Sequence, residues 1–134
     1  MLDHHRALIY TMVIVSAADS DMPEAELRII GDIVGDLPAF RDFDHSELPQ
    51  ALNDCTELLV RENGLDETLT VIKAALPAKL RETAYAIACD LVAADGEATQ
   101  EELRILELIR HRLNIERLVA AAIERGARAR FQTL

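Results

Sequence analysis

The chain is 134 residues long and half of them are hydrophobic, enough to bury the core of one ordinary domain and too few for two. Acidic residues outnumber basic ones 24 to 14, and the resulting net charge of −10 and pI near 4.8 exclude broad nucleic-acid binding, because a polyanion would be repelled. The longest apolar run, residues 7–18, contains Tyr10, Thr11 and Ser16 and is too short to span a bilayer, and no secretory leader pattern is present. A soluble, cytoplasmic protein without membrane insertion is the expectation.

The punctuation along the chain is helical throughout, with none of the period-two alternation of a sheet, so the fold reads as all-α. A first helix over about residues 3–18 is apolar nearly all round in its second half, which marks a central, buried element. A second, over 22–36, stops before Pro38 because a proline disfavours the helical conformation of its predecessor. After a loop holding Phe40, Asp42, Phe43 and Asp44, a third begins near His45 and Ser46 and carries Pro49 in its first turn, where proline is tolerated. Its end is read at Asn63-Gly64, a left-handed terminator.

A fourth helix covers 66–76 and halts at Pro77. The fifth, 78–94, repeats the pattern of the first, with Ala84, Ile87, Ala88, Leu91 and Val92 forming a face suited to close packing. The sixth spans 100–113, and the seventh spans 115–125 with Asn114 as its cap and Gly126 as its stop. The expected architecture is one compact bundle of about seven helices over residues 1–134. Helices one and five form its core pair, and helices two and six fold back on them.

That pairing follows from an internal repeat. AADSDMPEAELRI, which starts at Ala17, returns 76 positions later as AADGEATQEELRI, with seven of thirteen positions identical. Two copies are too few for a solenoid, so a pseudo-twofold domain of two helical hairpins, around 3–37 and 78–113, is expected. Each copy sets carboxylates in a short turn between two apolar helices.

Part of that acidity has a structural explanation. Thr99-Gln100-Glu101-Glu102 reads as a capping box, and Glu101 and Glu102 lie at the positive end of the helix dipole, worth roughly 0.3 to 1 kcal/mol each. In the first copy Asp21-Met22-Pro23-Glu24 fits the same scheme, with Asp21 as cap and Glu24 in the reciprocal role, which leaves Glu26 facing outward or into a site.

Asp19 and Asp95 are different, because each closes the preceding helix, where the dipole presents partial negative charge. Two readings compensate them. One is an Asx-type turn, helped in the second copy by Gly96. The other is a divalent cation held by Asp95, Glu97 and Glu102, with Asp19, Asp21 and Glu26 as the matching set; carboxylate oxygens suit Ca²⁺, Mg²⁺ or Mn²⁺. An EF-hand does not fit, since Glu24 or Gln100 stands where its glycine belongs and Ile30 or Leu106 where its bidentate glutamate belongs.

The segment AADGEATQEE, entered from an alanine-rich helix and followed by Leu103, Ile105 and Leu106, resembles the signature of the TerB family of tellurite-resistance proteins. It is also similar to the TerB-like N-terminal part of the membrane-anchored co-chaperone DjlA. The resemblance covers most of the chain and implies a seven-helix, internally pseudo-symmetric fold. It further implies a non-catalytic role in resistance to tellurite and other chemical stress, with metal ions bound by acidic residues. Carried over, those are Asp95, Glu97 and Glu102; in the other copy Asp19, Asp21 and Glu26 match, although Ser20 replaces glycine and Pro23 the capping hydroxyl.

The remaining candidates carry less chemistry. His4 and His5 are adjacent and would diverge around a helix, a poor ligand pair at the start of the chain; His45 and His111 stand alone. Cys55 and Cys89 sit in apolar helical contexts typical of free buried thiols, without a histidine nearby to activate them, so no enzyme is expected. Asp90 interrupts an apolar run and reads as an arginine-paired residue.

The charge is uneven: residues 1–103 carry 21 acidic and 7 basic residues, and 104–134 carry 3 acidic and 7 basic, all seven being arginine. Arg125, Arg128 and Arg130 read as a solvated helix and tail. They also leave open an alternative function, an adaptor that docks protein partners, a membrane-associated complex among them, through a helical groove or this arginine-rich end, with the acidic turns purely structural.

Overall fold

Every residue from Ala7 to Ser16 in α1 (His4–Ser16) is buried, so this helix has no solvent face over most of its length. Its sequence explains why, since no charged residue falls between Arg6 and Asp19 and a helix apolar all round must be surrounded. Asp3 caps it, accepting from the Arg6 backbone N–H at 2.9 Å. The computed structural model describes residues 2–19, 24–94, 96 and 98–134, apart from the side chains of Asp19 and Ala25.

Around α1 lie α2 (Glu24–Asp36), α3 (Leu48–Leu59), α4 (Gly64–Ala75), α5 (Ala78–Ala94), α6 (Gln100–Arg112) and α7 (Arg117–Arg130). The described residues contain seven α-helices, three short 3-10 turns and no strand, which is the all-α bundle read from the sequence. α1 and α5 pack side by side, as the repeat requires.

The two halves interlock. α2 touches both α1 and α5, and α6 touches both α5 and α1, so each outer helix of one copy also covers the core helix of the other. α3 lies on α1 as α7 lies on α5, while α4 fills the space beside α1, α3 and α6. One continuous apolar core results, with Leu8, Ile9, Met12, Ile30, Phe40, Leu69, Ile72, Tyr85, Leu91 and Ile109 among its buried side chains. Ion pairs tie its periphery: Arg6 to Asp54 at 3.0 Å, Arg112 to Asp66 at 2.6 Å, and Arg130 to Asp90.

α2 is described from Glu24, at the 76-residue offset from Gln100 at the start of α6, and Met22, where the sequence reading starts it, lies outside the described residues. The bounds of α3, α4 and α7 differ from the sequence reading. α3 ends at Leu59, and Asn63, left-handed as expected with φ of 58°, introduces α4, which begins at Gly64. Asn114 does not cap α7. With φ of 56° it terminates α6 in a Schellman motif: the Asn114 N–H donates to the His111 carbonyl at 3.2 Å and the Ile115 N–H to that of Arg110 at 3.0 Å. α7 starts after Glu116 and runs through Gly126 to Arg130, whose ion pair with Asp90 of α5 holds the added turn in place.

Candidate functional site

The second acidic turn joins α5 to α6 at the edge of the core pair. Gly96 within it has φ of 83°, the left-handed region in which glycine alone is unstrained, and its N–H donates to the Ala93 carbonyl at 3.1 Å. Thr99 then caps α6 in a complete capping box: Thr99 Oγ1 accepts from the Glu102 N–H at 3.1 Å, and Glu102 Oε1 accepts from the Thr99 N–H at 3.0 Å. Glu102 is only 1 % exposed, so its carboxylate is placed by this local bonding inside the bundle.

In the first copy it is Glu26, not Glu24, that repeats Glu102. At the offset of 76 Glu26 matches Glu102, and it is buried while Glu24 is exposed. The cap read from the sequence at Asp21, with Glu24 as its reciprocal partner, lies in part outside the described residues.

The end of the first hairpin's inner helix meets the start of α6. The 3-10 turn Ala17–Asp19 packs against α6, and Ala17 and Ala18 share a crevice of about 360 Å³ with Glu101, Arg104 and Ile105. Arg104 therefore places one cation of the protein beside the first turn, where a helix end benefits from positive charge. Asp95, Glu97 and Asp21 lie outside the described residues, as does the side chain of Asp19. Among the described residues no three His, Cys, Asp or Glu side chains gather in a metal-ligand cluster.

The histidines are less separate than their positions suggest. The His4 and His5 rings lie 4.0 Å apart by centroid, and His5 sits against Phe40 at 6.0 Å and Phe43 at 5.5 Å. Burial, then the neighbouring His4, pulls the His5 pKa below its ordinary value. Cys55 and Cys89 are free and buried, and burial pushes both thiols up to about 12, so neither supplies a thiolate near neutral pH.

An open groove of about 970 Å³ runs between α5, α6 and α7, starting at Gly96 and ending at the C-terminal Phe131. Tyr85 and Cys89 form its floor, Leu103 and Leu106 one wall and Ala120 and Ala127 the other. The Tyr85 hydroxyl donates to Glu124 Oε2 at 2.5 Å across it, and burial together with that carboxylate drives the phenol pKa upward. Arg110, Arg117 and Arg128 stand along it. The sequence reading named a helical groove without placing it, although one signal was available: residues 113–116 between α6 and α7 are far fewer than residues 37–47 between α2 and α3.

A family model described as tellurite resistance protein TerB matches residues 5–125, nearly the whole bundle including both acidic turns. The chain belongs to the TerB family. Comparisons with curated proteins and with solved structures returned no match. Among the described residues of this TerB-family chain, no helix is long and apolar enough to cross a membrane.

Proposed function

We propose that this TerB-family protein acts without catalysis in resistance to tellurite and related chemical stress by binding a divalent cation at its paired acidic turns. The observation that supports it most is that the end of α1, which leads into the first acidic turn, lies against the start of α6, which the second acidic turn leads into. Asp95 and Glu97 are the principal ligands, next to Glu102, and Asp19, Asp21 and Glu26 form the matching set. Glu102 Oε1 is engaged by the Thr99 N–H, so its share of the ligation is smaller than that of the turn residues. All donors are carboxylate oxygens, which select Ca²⁺, Mg²⁺ or Mn²⁺ over softer ions.

Calorimetric titration with Ca²⁺, Mg²⁺, Mn²⁺ and Zn²⁺ tests this reading. One of the hard cations should bind and raise stability by about 2.7 kcal/mol at a hundredfold excess over its Kd. The Asp95→Asn, Glu97→Gln double variant should lose both the heat and the melting shift. Absence of heat and of any melting shift with every ion would sink the proposal.

A further inference from the structure

We infer that the groove between α5, α6 and α7 is a docking site for a short acidic peptide segment of another protein, anchored by an aromatic side chain. The repeat itself supplies the comparison. At an offset of 76, Ile30 and Val34 of α2 correspond to Leu106 and Arg110 of α6. Ile30 and Val34 are wholly buried, whereas Leu106 and Arg110 are half-buried along an open groove. The same helix pair is thus covered in one copy and open in the other.

In the first copy the chain's own segment 37–47 folds back on the helices. It lies on α2, its Phe40 is buried in the core, and Phe40 and Phe43 both meet His5 of α1. Its sequence, LPAFRDFDHSE, consists of two aromatic anchors among Asp42, Asp44 and Glu47. Residues 113–116 are too few to reach over the corresponding face of α5 and α6, so no such cover forms there in cis.

Charge points to the same class of occupant. Of the acidic residues along the groove, Glu124 is engaged by Tyr85 and the exposed Glu107 lies 4.0 Å from His111, while Arg117 and Arg128 are exposed along its edge and Arg110 is half-buried in it. Residues 104–134 carry 7 basic against 3 acidic residues in an otherwise acidic protein, which favours an acidic ligand and repels a basic one. Leu103 and Phe131, 50 % and 43 % exposed, provide apolar surface for an aromatic anchor.

The probe is a fluorescently labelled peptide of the sequence LPAFRDFDHSE, added to the full chain and followed by anisotropy. Saturable binding is expected, weakened about tenfold by Arg110→Glu or by Arg128→Glu and recovered when the acidic residues of the peptide are changed to lysine. Replacing both phenylalanines of the peptide by alanine should weaken binding by about a hundredfold. Arg128 is exposed, so its variant keeps the fold and serves even where Arg110→Glu does not. The inference is overturned by absence of saturable binding at about 1 mM peptide, by indifference to the Arg128 reversal, or by equal binding of the alanine peptide. Sedimentation showing a dimer that Arg128→Glu dissociates would overturn it as well, because the groove would then belong to a second copy of the chain.

Discussion

A Cβ at Gly64 would collide with the backbone carbonyl oxygens of Leu58 and Leu59, so the turn from α3 into α4 can be made only with glycine. Backbone cannot retreat as a flexible side chain can. Gly64→Ala should therefore cost about 2 to 4 kcal/mol in denaturant unfolding. Gly31 is the control, a helical glycine of α2 around which an added methyl meets nothing within 4 Å. Gly31→Ala should raise stability by about 0.5 to 1 kcal/mol in the same assay, because it removes unfolded-state freedom without a clash. The sequence singled out the Asn63-Gly64 pair correctly as a helix boundary. It could not say which of the two adjoining helices the pair belonged to, because that depends on the return path of the chain over Leu58 and Leu59.

The capping box of α6 was legible in the sequence because all its partners lie within four residues of one another. Thr99→Ala should cost about 1 kcal/mol, read as a lower denaturation midpoint with unchanged slope, and Thr99→Ser should restore most of it. Asn114 shows where such local reading fails. An asparagine between two helices serves equally as the N-cap of the second or the left-handed terminator of the first, and the choice is made by whether the carbonyls of Arg110 and His111 are in reach. The groove was the least legible element of all, since it exists through contrast between two distant links, residues 37–47 and 113–116, neither of which is unusual alone.

At the scale of the whole bundle, burial holds the protons of several weak acids inside the fold, Cys55, Cys89 and Tyr85 among them. Burial pushes the thiols of Cys55 and Cys89 up to about 12 from an ordinary value of 9.0, and the phenol of Tyr85 is raised by burial and by Glu124. Unfolding at alkaline pH releases protons that the native state retains, so stability is intact below pH 9.0 and falls as pH rises towards about 12. The slope should approach about 1.4 kcal/mol per pH unit for each thiol. Urea midpoints measured between pH 8 and about 11 check it, with Cys55→Ala expected to flatten the decline. A midpoint that does not move across this range would contradict the placement of both thiols.

The interlocking of the two copies has a consequence for how the chain reaches this state. α1 and α5 pack together although 76 residues separate their matching positions, and α2 and α6 each bridge to the opposite copy. During synthesis the first four helices can gather around α1, yet the side that α5 will cover stays bare until more than half of the chain has left the ribosome. The most apolar of the seven helices is thus made before the other six and is among the last to be fully shielded. Its maturation depends on the closing half arriving before another apolar surface does.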